Sequence, residues 1–361
     1  MNIDTLLDNT GAWMSSGDDE QIVITSRIRL ARNLKNSAFP GWGGVEECAR
    51  IWSSLRPRLA GLPSIQPEID VGMDELEELD KQILLERHLI SREQVEKGRG
   101  SGLILSADEL VSVMVNEEDH LRIQVLQSGL NLATAWEKID QLDSEIESQT
   151  EYAFSDALGY LTSCPTNVGT GMRASVMMHL PGLVLMEEMN PIIKGLGKIG
   201  LTVRGLWGEG TEAIGNFFQV SNQMTLGERE ADIVYNIEQI AREIVEHEKN
   251  ARARLVEKKE LFLKDHIGRA YGILSHAHLL TTKEALDLLS DLRLGVDLGI
   301  LKSVGRQTVD ELLMTAQPGH LQKLEGKALK PKDRDRVRAK RVRERLSRGD
   351  SKPKRQSRTH E

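Results

Sequence analysis

The sequence predicts an α+β chain in which a mixed strand-and-helix part is followed by an all-helical one. Three observations carry this. Residues 20 to 33, EQIVITSRIRLARN, are rich in β-branched residues and alternate with period two. The runs LVSVMVN and HLRIQVL are two short apolar segments joined through the acidic corner Glu117, Glu118, Asp119, a hairpin pattern. Beyond about residue 228, Ile233, Ile237, Ile240 and Ile244 recur at intervals of four and three, one stripe of an amphipathic helix, and helical patterning continues to the end.

In chain order, the strand at 20 to 33 is followed by helical texture over 45 to 97, clearest in DELEELDKQILLERHL. After the hairpin, residues 132 to 157 again have helical spacing. TSCPTNVGTGMRASVMMHL then supplies a Pro/Gly loop running into a strand. A helix is expected after Pro191, and LTVRGL and NFFQVSNQ read as strands on either side of the glycine-rich loop WGEGTEAIG. In the helical part, Thr281 followed by Glu284 is a capping box, and Gly295 and Gly299 suggest breaks.

The 361 residues, 39% hydrophobic and 28% charged, have globular composition and exclude a largely disordered chain. No run approaches the ~18 apolar residues of a membrane span, and MNIDTLLDN lacks the features of a signal peptide, so a cytoplasmic location is expected. Cys48 and Cys164 are too few for a disulfide framework. The net charge of −8 conceals an asymmetry: residues 327 to 361 hold 15 Lys/Arg against 5 Asp/Glu, so an acidic body wears a basic tail. Such a tail keeps nucleic-acid binding open as a rival, non-enzymatic reading.

GLGKIG at 195 to 200 satisfies the dinucleotide fingerprint, but a helix-like stretch precedes it and a strand follows, the reverse of what that fingerprint needs. His276 and His278 have no further ligand cluster and read as solvated side chains rather than a metal site. The informative set is Arg27, Arg29, Arg122, Arg173 and Arg204, each on a strand-like or loop segment near carboxylates or glycines. Singly, each is explained as a surface ion pair. Together, inward-pointing arginines repel one another unless a polyanion lies among them, and a triphosphate offers oxygen pairs that planar guanidinium groups match. With no GxxxxGK[ST] and no HRD or DFG set, the phosphates must be held by side chains.

Period two through the hairpin corner places Glu118, His120 and Arg122 on one face and Glu117 and Asp119 on the other. Glu209 sits among Gly205, Gly208 and Gly210, a loop able to close over a substrate or simply a flexible tip. Cys164, before a proline in a polar loop, has neighbouring hydroxyls that favour thiolate; a buried inert thiol is the bland alternative.

TSRIRLARN, VNEEDHLR, CPTNVGTGMRAS and RGLWGEGTE, in this order, resemble the ATP:guanido phosphotransferase (phosphagen kinase) family over roughly residues 20 to 225. The resemblance implies a large antiparallel β-sheet flanked by helices, ATP held by an arginine cage, and a guanidinium as phosphoryl acceptor. It implies ATP contacts along Thr25, Ser26, Arg27, Ile28 and Arg29, at His88 and Arg122, along Arg173, Ala174, Ser175, Val176 and Met177, and along Arg204, Gly205, Leu206, Trp207 and Gly208. Glu118 and Glu209 match the paired catalytic carboxylates and Cys164 the family's reactive cysteine. Magnesium is expected on the phosphates, with Glu117 and Asp119 as outer-shell partners.

Two departures bear on the acceptor. TSRIR begins at residue 25, so the helical domain that small-molecule members carry ahead of it is absent from this sequence, and an open site could admit an arginine side chain on a protein. The C-terminal RDRVRA resembles a motif of the bacterial protein-arginine kinases of the McsB type, which implies a regulatory phosphoarginine site at Arg334, Asp335, Arg338 and Ala339. A solvated basic helix is the plain alternative. That resemblance also implies arginine-containing protein substrates, an McsA-type activator and Clp-type proteolysis; a kinase of free arginine is the runner-up, and a homodimer is expected. The expected layout is a catalytic domain over 1–255, a helical domain over 256–346 and a disordered basic tail over 347–361.

Overall fold

The computed structural model describes residues 3–8, 11–14, 22–205 and 213–348. They form two compact units, Met1–Lys259 and Glu260–Glu361. The expected border at 255 falls inside a helix that continues to Lys258.

In the first unit, β1 (Val23–Arg32) leads to α1 (Pro40–Ala60), β2 (Pro67–Gly72), α2 (Glu78–Glu86), α3 (Arg92–Val95), β3 (Gly102–Ser106), β4 (Val111–Val115), β5 (Leu121–Ser128) and α4 (Leu132–Glu147). A two-stranded ribbon follows, β6 (Phe154–Ser155) and β7 (Gly159–Tyr160), then β8 (Met172–His179), α5 (Pro181–Leu185), α6 (Met189–Lys198), β9 (Leu201–Gly205), β10 (Phe217–Asn222) and α7 (Glu230–Lys258). Eight strands make one antiparallel sheet in the order β2-β3-β4-β5-β1-β8-β10-β9.

Period two in β1 explains the layering. Ile28 and Leu30 point to one face, where Ile123, Val125, Ala174, Val176 and Val220 of neighbouring strands join them. Against this face pack Ile139 and Leu142 of α4 and Ile233, Ile237, Ala241 and Ile244 of α7, all in one buried cluster. The isoleucine stripe is thus packed inside the unit, Ile240 only in part. Burying each such side chain contributes about 1.5–3 kcal/mol.

The helical expectation over 45 to 97 is corrected by β2, and β3 was not expected at all. PEIDVG alternates over Glu68, Ile69, Asp70 and Val71, but for only four residues between Pro67 and Gly72, whereas GLILS is buried at every position and shows no alternation. The helix within DELEELDKQILLERHL is confined to α2, because the chain leaves it at Arg87 and His88 adopts φ 58°. At Gly102 an added Cβ would lie 2.4 Å from the Trp52 ring of α1. Gly102→Ala is therefore expected to cost about 2 kcal/mol in denaturant unfolding through overpacking; unchanged stability would show that α1 can retreat from the sheet.

The second unit consists of α8 (Glu260–His276), α9 (Thr282–Asp297), α10 (Arg306–Thr315), α11 (Pro318–Leu324) and α12 (Pro331–Ser347). Thr281 Oγ1 accepts the Glu284 amide at 3.2 Å, capping α9. Gly299, at φ 68°, follows the end of α9. Gly295 breaks nothing: it lies within α9, where a Cβ would meet Ile267 of α8 at 2.5 Å, so it serves close helix packing. The disordered tail expected from 347 begins, in the structure, with the end of α12, and residues 349–361 lie outside the described residues.

Candidate active site

Strand register gathers the arginines. In an antiparallel pair, directly opposed residues share a face. Arg29 opposes Arg173 on β8 and Gln124 on β5, Arg27 opposes Ser175 and Leu126, and Arg122 opposes Ala31. Arg204 opposes Gln219, which opposes Met177. All five arginines therefore stand on the sheet face away from the apolar core. Gln219 Oε1 accepts from Arg27 at 2.6 Å, and Ser221 Oγ from Arg173 at 3.3 and 3.4 Å. Arg29 Nε is buried and makes no hydrogen bond.

This crowding is electrostatically costly. Burial, then the charges of Arg122 and Arg173, push Arg27 down to about 9. Burial, then Arg27, Arg122 and Arg173, push Arg29 well below its ordinary value, opposed by Glu117. Arg173 is lowered by burial and then by Arg204 and Arg122. Guanidinium does not readily shed its proton, so an arriving polyanion is the relief such a surface favours.

The corner between β4 and β5 departs from the period-two expectation. Asn116 takes φ 55°, so residues 116–120 turn rather than alternate. Glu117, expected opposite Arg122, is instead bonded to it at 2.5 Å and also accepts from the Ser91 hydroxyl and the Glu118 amide. Burial works to raise Glu117, but Arg122, Ser91, the Glu118 amide and Arg29 hold it below the ordinary glutamate value. Asp119 is buried, its Oδ1 accepting from Asn33 and from the Ser163 amide, both at 2.6 Å. His120, also buried, accepts the Leu34 amide at Nδ1, so its Nε2–H donates to the Ala38 carbonyl.

Glu118 is left exposed at the rim. Burial of part of its side chain, then Asp119 and Glu117, raise its carboxyl above the ordinary glutamate value, with Arg122 opposing and Glu93 adding. A base poised this way accepts a proton better than an ordinary glutamate. The acid limb of kcat/KM is expected to have its midpoint above 4.5, with rate falling as pH drops through it. A pH–rate profile whose acid limb sat at or below 4.5 would remove Glu118 from that role.

Ser163 Oγ donates to the Glu118 carbonyl at 2.8 Å, tying the Cys164 loop to this corner. Cys164 Sγ lies 3.0 Å from Thr166 Oγ1. The buried Arg32, paired with Asp143 at 2.7 Å, donates to the Thr170 carbonyl and lies 3.5 Å over the Tyr160 ring, bracing the far end of the same loop. Arg29, Arg122, Arg173, Arg204, Glu117, Glu118, Asp119 and Cys164 all line one open cleft of about 590 Å3.

A far smaller recess, of about 10 Å3, joins Thr25, Arg27, His88, Leu126, Ser175, Met177 and Gln219. Burial and the Arg27 charge push His88 down to about 3, so its imidazole is neutral. By contrast Ser26, Ile28, Ala174 and Val176, which the resemblance groups with the ATP contacts, have their side chains on the core face. Ser26 Oγ donates to Gly129 O and the other three are fully buried in the apolar cluster, so none reaches the cleft. Gly205 closes β9. Leu206, Trp207, Gly208 and Glu209 lie outside the described residues.

Several residues of the site carry no sequence signal. Gln219 and Ser221 are ordinary alternating positions of NFFQVSNQ, Ser91 is the helix cap of α3, and Gln124 is fixed between the His88 carbonyl and Ser112. Only register, absent from a single sequence, could have found Gln219, Ser221 and Gln124; Ser91 opens the local capping pattern SREQ, but nothing in it points to Glu117.

In the second unit, Arg334 and Asp335 are half-buried near the start of α12. Arg338 is a different matter. It is 1% exposed and donates to the carbonyls of Ala316 and Leu280, to Asp335 and to the Thr282 hydroxyl, at 2.7 to 2.8 Å. Ala339 is fully buried. In this structure both serve packing: Arg338 is the clamp that holds α12 on α9 and the end of α10.

For magnesium, no group of three His, Cys, Asp or Glu able to hold a metal occurs among the described residues. Glu117 is engaged with three donors and Asp119 with two. Carboxylates so engaged would fit an ion carried by phosphate oxygens and water rather than one held directly by the protein. No helix among the described residues is long and apolar enough to cross a membrane.

Residues 68–251 match the family model of the ATP:guanido phosphotransferase C-terminal catalytic domain, and residues 260–358 that of the protein-arginine kinase McsB C-terminal domain. The chain is 48% identical over 337 residues to the protein-arginine kinase of Bacillus velezensis, covering 92% of this chain and 93% of that one. It is 45% identical over 342 residues to that of Bacillus subtilis (94% of each) and 43% over 348 residues to that of Halothermothrix orenii (95% and 99%). Among solved structures, lombricine kinase superposes with TM-score 0.58 at 24% identity, covering 68% of this chain and 71% of that one. The duplicated taurocyamine kinase of Schistosoma mansoni with bound transition-state analogue components gives 0.57 at 24%, covering 75% and 41%. These two likenesses concern the fold. The one-faced arginine cluster, the two family models and the identity across nearly the whole length lead to one conclusion: the chain belongs to the ATP:guanido phosphotransferase family, in its protein-arginine kinase branch.

Proposed function

We propose that the chain is an ATP-dependent kinase that phosphorylates arginine side chains of proteins. The observation that carries this reading is the convergence of Arg29, Arg122, Arg173 and Arg204 with Glu118 in one cleft, with Arg27 on the same sheet face. The nucleoside end of ATP lies against His88, Thr25 and Met177, and the triphosphate lies over the five arginines. A guanidinium nitrogen of the acceptor attacks the γ-phosphorus in line. A nitrogen–phosphorus bond forms, the bond to the bridging oxygen of ADP breaks, and the proton released passes to Glu118.

Glu117 does not compete for that proton: it holds Arg122 toward the phosphates. By the family resemblance, Glu209 supplies the second carboxylate for the guanidinium and Cys164 the reactive cysteine of the site. Magnesium supplies charge neutralisation on the phosphates when bound, with Glu117 and Asp119 reaching it through water.

Regulation by phosphoarginine through Arg334 and Asp335, an McsA-type activator, delivery of marked proteins to Clp-type proteolysis, a homodimer and a cytoplasmic site of action complete the reading. The test is mass spectrometry of an arginine-rich protein after reaction with ATP, under conditions that preserve phosphoramidates. Phosphate on arginine side chains supports the reading. Phosphate on free arginine alone, or none, overturns it.

A further inference from the structure

Trp42 is 90% exposed at the mouth of the cleft, an unusual place to leave an indole in water. It sits in the sequence PGWGG at the start of α1, where Gly41 and Gly44 have open space around them and Gly44 adopts φ 67°. The base of this arm is nonetheless fixed. His120 accepts the Leu34 amide, meets the Ala38 carbonyl and packs edge-on against Phe39, with ring centroids 6.1 Å apart. Because His120 is two residues from Glu118, the indole is referenced to the carboxylate that meets the acceptor.

Glu93, also exposed, lines the same cleft and is close enough to Glu118 to raise its carboxyl. The cations among its described lining residues are Lys97, Arg29, Arg122, Arg173 and Arg204.

We propose that Trp42 is an acceptor-side contact that selects an arginine carried in a polypeptide over free arginine. This rests on the kinase reading above and adds what the acceptor side recognises. A guanidinium held at Glu118 trails an aliphatic stem and then its backbone. In a polypeptide that backbone is neutral amide, which an amphipathic, conformationally stiff indole covers at small entropic cost. In free arginine the same position holds a zwitterion, whose hydrated α-ammonium and α-carboxylate the indole face cannot solvate. The indole thus favours the polypeptide through a contact its small competitor cannot use.

The experiment measures kcat/KM for an arginine-containing peptide, capped at both ends, and for free arginine, with full-length wild type, Trp42→Ala and Trp42→Phe. The wild-type ratio favours the peptide. Trp42→Ala is expected to lower that ratio at least about fivefold through the peptide value, and Trp42→Phe to restore most of it. A wild-type preference for the peptide that Trp42→Ala leaves within twofold overturns this inference alone. A wild type that uses only free arginine overturns the kinase reading with it.

Discussion

Glu118→Gln is expected to lower kcat about 10^3-fold while KM for ATP stays within about threefold. The amide is nearly isosteric, so the turn at Asn116 and the bond from Ser163 Oγ to the residue 118 carbonyl are kept. What is lost is the proton acceptor and half of a charge-assisted grip on the guanidinium. The phosphate side is untouched, because the arginines are set by strand register and by Gln219, Ser221 and Glu117. Steady-state kinetics with a protein acceptor reads both quantities. Turnover within tenfold of wild type would remove Glu118 from the proton transfer, and a large rise in KM for ATP would place it on the nucleotide side instead.

Arg338→Ala is expected to destabilise the second unit by about 3–5 kcal/mol. The side chain is 1% exposed and satisfies two carbonyls, a hydroxyl and the Asp335 carboxylate. Removing it leaves buried acceptors without donors, together with the cavity of a large side chain. Arg334→Ala, on a half-buried position outside this network, is expected to cost under about 1 kcal/mol. Denaturant unfolding of the full chain, followed by circular dichroism, compares them. Equal midpoints for the two variants would show that Arg338 is not the clamp.

How far the sequence spoke depended on whether alternation survived in it. In EQIVITSRIRLARN it did, and the shared face of Arg27 and Arg29 follows from it. Where a segment is buried on both faces, as in β3, alternation vanishes and the strand is invisible; in β2 it survives over EIDV, a run so short between Pro67 and Gly72 that the helical texture around it absorbs it. The acidic corner misled in a specific way. Period two assumes extended backbone, and the left-handed Asn116 replaced it with a turn that brings Glu117 onto Arg122.

Long-range register was the larger gap. That Arg29 stands opposite Arg173, or Gln219 beside Arg27, depends on which strands pair, which no local pattern records. RDRVRAKRVRERL looks like a solvated cationic face, and nothing local distinguishes Arg338, fully enclosed, from exposed Arg336 one residue pair away. The apolar stripe of α7 was legible as a helix, but its partner was not: it belongs to the sheet's own core.

The central claim is that one sheet face holds a triphosphate. A crystal structure of the protein with an unhydrolysable ATP analogue tests it most directly. Phosphate oxygens should lie within about 3 Å of guanidinium nitrogens of Arg27, Arg29, Arg122, Arg173 and Arg204, with the γ-phosphate turned toward Glu118. A nucleotide bound elsewhere, with those five side chains untouched, would contradict the account.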